Sequence, residues 1–227
     1  MDSNIDPISA TEQQLMALKP MLNTLPQVVI SGCLMGEKVR YDGGHKRQQH
    51  LHERLEEFVT LRSFCPEVAA GMGIPREPIH WIETRQDKLE LQQVTAPHTS
   101  YEIPVRDACE DWLATYAVDA AILKARSPSC GVGTTPVVST RGQLLPTIDG
   151  LWVQCIKRHV SSALIVDESF IAQRADTLWF VTLLYLRQIE QQASAPIQWA
   201  QQALTLDTPE QQRQAIYSLL PSILLKD

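Results

Sequence analysis

Short aliphatic runs alternate with helical segments along residues 27–168, and this alternation constrains the fold more than any other feature of the chain. The runs predict strands at residues 27–32, 60–64, 118–125 and 162–168. The segments between them predict helices at residues 48–59, 103–117 and 149–160, and a β-hairpin at residues 80–94. Strands that are separated by helices pair in parallel through right-handed crossovers. The sequence therefore predicts an α/β fold, an open and mostly parallel sheet with helices on both faces.

The two ends of the chain are predicted to be helical. An N-terminal segment, residues 1–26, contains a predicted helix over residues 11–18. The C-terminal segment, residues 169–227, has ten glutamines and no glycine, and a helix start signal begins at Thr208. We expect this segment to pack on the α/β core, which spans residues 27–168, as a helical extension rather than to form an independent domain.

The overall charge argues against two classes of partner. The net charge is −6, so the molecule has no basic excess of the kind that accompanies nucleic-acid binding. The longest apolar run, residues 178–186, is too short to span a bilayer. The first 20 residues are acidic and lack the apolar segment of a signal peptide. We therefore expect a cytoplasmic protein without a membrane partner.

Three of the five cysteines follow predicted strands directly. Cys33, Cys65 and Cys130 each lie just beyond the carboxyl end of a strand, which is the edge where open α/β sheets bind ligands. Cys109 and Cys155 fall inside predicted helices, where we expect them to be packing residues. The topology therefore predicts that three thiols from distant parts of the chain meet at one edge of the sheet.

The spacing of these cysteines leaves two interpretations open. A structural zinc site usually takes four ligands that arrive as close pairs, and none of the three is part of a C-x2-C pair. A cubane iron–sulfur cluster normally takes four cysteines, so a cluster with three keeps one iron open to substrate. Three loop cysteines without any metal are the alternative.

Three motifs in order resemble a known family. "SGCLMGEKVRYDGG", "CPEVAAGMGIPREP" and "LKARSPSCG" resemble the TudS-like thiouracil desulfurases, a bacterial family, over roughly residues 27–168. The resemblance implies a Rossmann-like domain that carries a 4Fe-4S cluster on three cysteines and converts thiouracil to uracil and sulfide. It implies Cys33, Cys65 and Cys130 as the cluster ligands. Residues 169–227 lie outside it.

Further site residues are expected around these ligands. Glu67 is a candidate base for the attacking water, or else a helix cap or partner of Arg76. Lys124 is a candidate for stabilising negative charge, or else for anchoring a carboxylate. Ser127 and Ser129 are candidate donors to substrate or cluster, or else they satisfy the loop backbone.

Two further groups of residues have expected roles. Gly131 is expected to let the backbone approach the cluster. In the segment "RYDG", residues 40–43, we favour a salt-bridged turn, and His45, His50 and His52 are expected on the surface.

The sequence thus predicts a cluster-dependent desulfurase of a small thiolated pyrimidine, of the 2-thiouracil or 4-thiouracil type. One alternative is the same chemistry on 4-thiouridine in tRNA, which the net charge of −6 disfavours. Another alternative is a non-catalytic metal- or cluster-binding sensor, in which a fourth ligand fills the open position.

Overall fold

The structure, a computed structural model, describes residues 7–52, 55–86, 88–96, 99–172 and 174–192. Its strands, numbered in chain order, are β1 Gln27–Ser31, β2 Thr60–Phe64, β3 Ile79–Glu83, β4 Leu89–Gln93, β5 Ala120–Leu123, β6 Thr135–Ser139, β7 Leu144–Ile148 and β8 Leu164–Asp167. Its helices are α1 Pro7–Leu18, α2 Gly32–Met35, α3 Gln49–His52, α4 Leu55–Phe58, α5 Pro66–Ala69, α6 Glu102–Thr115, α7 Leu151–His159 and α8 Arg174–Gln192. The helix start signal at Thr208 lies outside the described residues.

The predicted parallel sheet is present. Its strand order is β2-β1-β5-β8, and every neighbouring pair is parallel. The chain passes from β1 to β2 on one side and then crosses back to β5 on the other, which places a topological switch point between β1 and β5. The Rossmann-like α/β class expected from the sequence is confirmed.

Both faces of the sheet are buried at its two central strands, β1 and β5, which explains why these strands are almost continuously apolar. Val28 and Ile30 of β1 point into one core, whereas Val29 points into the other. In β5, Ile122 faces the first core and Leu123 the second. Since successive side chains alternate between the faces, a parallel strand covered on both sides has apolar residues at every position.

The first core lies under α1, α3, α4 and α8. Helix α8 contributes the largest side chains there, among them Trp179, Phe180 and Tyr185, each at most 1% exposed. The second core lies under α6 and α7, where the rings of Phe64 and Trp152 meet at an angle of 58° with centroids 4.9 Å apart. Among the described residues, no helix is long and apolar enough to cross a membrane.

A second, mixed sheet packs on the α6 and α7 side, and the sequence did not reveal it as a sheet. Its order is β4-β3-β6-β7. The hairpin predicted at residues 80–94 forms as β3 and β4, which pair antiparallel. Strand β6 joins β3 in parallel and β7 in antiparallel orientation. Three neighbouring side chains of this sheet are buried in the second core: Trp81, Leu91 and Val137.

Two prolines explain why the sequence did not predict the β6–β7 hairpin. Pro136 lies within β6 and Pro146 within β7, and proline inside an apolar run argues against a strand. The structure accommodates Pro136 at an irregularity in the ladder, because the register with β7 shifts between Thr135 and Val137. Pro146 lies on β7, an edge strand.

Helix boundaries also differ from the predictions. Helix α1 begins at Pro7, a favoured first residue of a helix, rather than at residue 11. The predicted helix over residues 48–59 is helical at its described positions, as α3 and α4. The loop expected after β1 begins with helix α2, which ends where Gly36 adopts the left-handed φ of 92°.

The packing of α8 leads to a stability prediction. The Tyr185 hydroxyl donates a 2.8 Å hydrogen bond to the carbonyl oxygen of Phe58 inside the first core. Tyr185→Phe removes this donor, and we expect the free energy of unfolding to fall by about 1–2 kcal/mol in urea denaturation. Tyr116→Phe is the control, because Tyr116 is 40% exposed and its ring contacts survive. Equal losses in both variants would contradict the prediction.

Candidate active site at the carboxyl edge of the parallel sheet

The three cysteine loops border one cavity at the switch point of the parallel sheet. Cys33 follows β1, Cys65 follows β2 and Cys130 follows β5, as the sequence predicted. All three side chains line a cavity of about 360 Å³. A cavity of this size lies in the range of small-molecule sites, which occur preferentially at such switch points.

Cys33 lies in the first turn of α2 and is 8% exposed. Burial is the main cause, with a contribution from the nearby Cys65, that raises the pKa of its thiol to about 11. Arg40 and Lys124 oppose this shift because their positive charges favour the thiolate. Cys33 thus lies in a site where cations partly offset the cost of burying a negative sulfur.

Cys65 is the residue before α5 and has extended backbone angles. Its thiol donates a long hydrogen bond, 3.7 Å, to the carbonyl oxygen of Val39. Burial is the main cause that raises its pKa, and the charge of Glu67 adds to the increase. Cys65 is therefore coupled both to the segment that follows Cys33 and to the neighbouring carboxylate.

Cys130 is buried in a tight turn that Ser127 organises. The Ser127 hydroxyl accepts hydrogen bonds from the backbone N–H groups of Ser129 and Cys130, at 3.3 and 3.1 Å. The backbone N–H of Gly131 donates to the Ser127 carbonyl at 2.9 Å. Burial raises the pKa of the Cys130 thiol, and the charges of Cys65 and Cys33 raise it further. The geometry of Ser127 corresponds to the backbone-satisfying alternative that the sequence left open.

A buried carboxylate connects the cysteine loops to one another. Glu67 Oε1 accepts a 2.9 Å hydrogen bond from the Ser129 hydroxyl, one residue before Cys130. Its Oε2 accepts a 2.9 Å hydrogen bond from Arg76 Nε and forms an ion pair with Arg76 Nη2 at 2.8 Å. Arg76 Nη2 also donates to the carbonyl of Val39 at 2.9 Å. We call Glu67, Arg76, Ser129 and the Val39 carbonyl the Glu67 network.

The Glu67 network is shielded from solvent. The side chains of Arg76 and Glu67 are 5% and 12% exposed, and Ser129 is fully buried. Glu67 and Arg76 line the cavity, whereas Ser129 lies behind Glu67. Sequence analysis named Arg76 only as an alternative partner of Glu67, and the structure contains that ion pair.

Lys124 lines the cavity but is held by a carboxylate that sequence analysis missed. Its ammonium group forms an ion pair with Glu168 and also donates to the Ala125 carbonyl at 3.0 Å. Glu168 accepts a second hydrogen bond, 2.6 Å, from the Ala125 N–H. The Lys124 N–H donates to the Ser31 hydroxyl at 3.0 Å. The pairing expected as the alternative for Lys124 is therefore present.

Further cations surround the cavity. Its lining includes Arg40, Lys46 and Arg126 in addition to Arg76 and Lys124. Arg40 pairs with Asp42 at 3.3 Å, and the Gly44 N–H donates to Asp42, so residues 40–44 form the salt-bridged turn that the sequence predicted. A cation-rich wall suits a site that contains thiolates or an anionic ligand.

Two glycines allow the Cys130 turn to pack tightly. A Cβ at Gly131 would lie 2.4 Å from Thr135 Oγ1, so the space at this residue is occupied by the loop itself. A Cβ at Gly150 would lie 2.5 Å from the carbonyl group of Ser129 and 2.8 Å from the N–H nitrogen of Cys130. From the sequence, Gly131 was expected to let the backbone approach a cluster, and Gly150 was not identified.

The first N–H groups of α7 hold this turn in place. Gly150 donates to the Gly131 carbonyl at 2.7 Å, and Trp152 donates to the Ser129 carbonyl at 2.8 Å. Trp81 of the second sheet donates from Nε1 to the Pro128 carbonyl at 2.9 Å. The turn is thus fixed from two sides by regular elements.

The remaining cysteines are packing residues, as predicted. Cys109 on α6 and Cys155 on α7 are both 0% exposed in the second core. Their thiols share a hydrogen bond that raises the pKa of Cys109 and lowers that of Cys155. Neither residue lines the cavity.

The donor set fits a thiolate-bound group better than a single ion. Among residues 7–192, apart from the few positions not described there, no three or more His, Cys, Asp or Glu side chains form a group that could hold one metal ion. Burial makes all three cavity thiols poor acids, and a coordinating metal deprotonates a thiol outright. Three thiols on one cation-lined cavity are a donor set that a thiolate-bound group would use.

Comparison with known proteins gives three matches. The sequence profile of the 2-thiouracil desulfurase family matches residues 28–168. The uncharacterized protein YbbK of Bacillus subtilis is 34% identical over 113 residues, which are 47% of this chain and 74% of YbbK. The solved structure of the 4Fe-4S-dependent thiouracil desulfidase TudS is similar with a TM-score of 0.52 and 26% identity. The similarity covers 68% of this chain and 99% of that one.

The close approach at Gly150 leads to a second stability prediction. Gly150→Ala forces the backbone of the Cys130 turn away from α7, and we expect a loss of about 1–3 kcal/mol in the free energy of unfolding. Gly44→Ala is the matched control, because its Cβ would meet only the exposed side chain of Asp42. Both variants are compared by urea denaturation. A Gly150→Ala protein as stable as Gly44→Ala would show that the turn can move without cost.

Proposed function

Because the chain belongs to the 2-thiouracil desulfurase family, we propose that it removes sulfur from a thiolated pyrimidine of the 2-thiouracil or 4-thiouracil type, giving uracil and sulfide. The observation that carries this proposal is the meeting of Cys33, Cys65 and Cys130 with a buried carboxylate, Glu67, around one cavity. The cavity volume of about 360 Å³ supports a small-molecule substrate.

Cys33, Cys65 and Cys130 are the proposed ligands of a 4Fe-4S cluster. When bound through three cysteines, such a cluster supplies one open iron that can bind and polarise the substrate's sulfur. The proposed ligands are supported by three cysteines that line one cavity. Arg40 and Lys124 would offset the negative charge of the thiolates.

The chain's own residues handle the water and its proton in this proposal. Replacing sulfur by oxygen in a thiocarbonyl consumes one water and releases hydrogen sulfide, with no net oxidation or reduction. The water must lose a proton as it attacks the carbon, and Glu67 is the cavity-lining carboxylate that accepts it. Ser129 holds Glu67 from behind, and Ser127 keeps the Cys130 turn in place. Lys124, paired with Glu168, contributes positive charge at the wall.

The cluster proposal predicts a division among the cysteines. Anaerobically reconstituted protein should contain about four iron atoms per chain together with acid-labile sulfide. Replacing Cys33, Cys65 or Cys130 by alanine should abolish turnover and strongly reduce iron content. Cys109→Ala and Cys155→Ala are the matched controls and should keep their iron, at a cost of about 1 kcal/mol in stability. Stoichiometric zinc without iron in reconstituted protein would overturn the proposal.

The role of Glu67 predicts a loss of turnover without a loss of iron. Glu67→Gln preserves the side-chain shape but removes the proton acceptor, so kcat should fall roughly 10²- to 10⁴-fold. Iron content and KM for thiouracil should stay close to wild type, as measured by iron analysis and sulfide release. Glu110→Gln is the control, since Glu110 forms an exposed pair with Arg158. Near-normal turnover in Glu67→Gln would leave Glu67 a purely structural residue.

A further inference from the structure

Arg76 makes more contacts with the cysteine loops than any role in charge balance requires. Its guanidinium donates to Glu67 Oε2, to the Val39 carbonyl, and at 3.1 Å to the Gly73 carbonyl. Its own backbone N–H donates to the Tyr41 carbonyl at 2.9 Å. Arg76 therefore connects the segment after Cys33 to the segment after Cys65, and through Glu67 and Ser129 to the Cys130 turn.

The contacts of Glu67 are distributed unequally over its two oxygens. A carboxylate offers about two acceptor positions on each oxygen. Among the described residues, Oε2 accepts a hydrogen bond from Arg76 Nε and lies in ion-pair contact with Arg76 Nη2, whereas Oε1 accepts one hydrogen bond from Ser129. Arg76 thus binds Oε2 alone, and Oε1 keeps one acceptor position beside its contact with Ser129.

The Val39 carbonyl has a similar arrangement. It accepts from Arg76 Nη2 at 2.9 Å and from the Cys65 thiol at 3.7 Å. Loss of the Arg76 contact would free the segment of residues 39–41, which itself lines the cavity.

We propose that Arg76 is a positioning residue for the desulfuration reaction: it fixes the orientation of the Glu67 carboxylate at the cavity wall, and it anchors residues 39–41 beside the cavity that the cysteines line. This inference rests on the proposed function. Arg76 acts through Glu67 and the Val39 carbonyl and does not itself transfer a proton. A guanidinium suits this task because its rigid fork serves three acceptors at once, which a lysine ammonium cannot reproduce.

The decisive variant is Arg76→Lys, because it keeps the positive charge beside the buried Glu67. We expect kcat for thiouracil to fall about 10- to 100-fold, the usual effect of losing an orienting contact. KM and iron content should remain those of the wild type. Arg158→Lys is the matched control, since Arg158 forms an exposed ion pair on α7, and it should be fully active.

A double-mutant cycle separates positioning from general structural support. If Arg76 acts through Glu67, Arg76→Lys should lower the residual turnover of Glu67→Gln by less than about threefold, because the group that it positions is already lost. If the fold-losses in turnover of the two single variants multiply in the double variant, the proposal is overturned.

Hydrogen exchange tests the anchoring independently of turnover. Arg76→Lys should accelerate amide exchange in residues 37–44 by about tenfold, as expected for one lost hydrogen bond, and leave β5 unchanged. Unchanged exchange in residues 37–44 would overturn the anchoring. If iron-loaded wild-type protein released no sulfide from thiouracil, the proposed function would fail, and the exchange result would still support or overturn the anchoring by Arg76.

Discussion

The buried carboxylate of Glu67 is the interaction on which the arrangement of the cysteines depends. It receives hydrogen bonds from Arg76 and Ser129, and Arg76 extends the network to the Val39 carbonyl. Three loops that are far apart in sequence are thereby joined by one side chain. Removing one partner of this largely buried pair would leave the other charge without compensation. The network therefore links the segments that carry or adjoin the three cysteines.

Rigid elements hold the Cys130 turn more firmly than a loop alone would allow. The N-terminus of α7 presents backbone N–H groups that have no partner within the helix, and the carbonyls of Ser129 and Gly131 accept them. Gly150 permits this approach because it lacks a Cβ. From the other side, Trp81 of the second sheet binds the Pro128 carbonyl. Sites supported by helices and strands keep their geometry better than sites on free loops.

The cysteine thiols and the Glu67 carboxylate lie side by side in one small cavity. The thiols of Cys33, Cys65 and Cys130 line it together with Glu67, while paired cations at Arg40 and Lys124 occupy the wall. The ion pairs limit the electrostatic cost of placing several negative groups close together. The parallel sheet brings these elements to one edge, and the Glu67 network sets their mutual distances.

The sequence by itself determined the elements that follow from local periodicity. Apolar runs predicted the four parallel strands, and because parallel strands end at the same edge, the positions of Cys33, Cys65 and Cys130 after three of them predicted a shared site. The motif around Glu67 also marked it as a candidate beside Arg76. These inferences succeed because strand alternation and crossover handedness are local rules.

Only the tertiary structure decided the features that depend on contacts between distant segments. Proline argues against a strand at Pro136 and Pro146, yet the ladder irregularity at Pro136 and the edge position of β7 accommodate both. The sequence does not indicate the roles of Glu168 and Gly150, or the contact of Arg76 with Val39. Each of these residues contacts a partner more than 15 residues away in the chain. Periodicity identifies which face of an element is buried, but which side chains then meet across that face is set by how the elements pack.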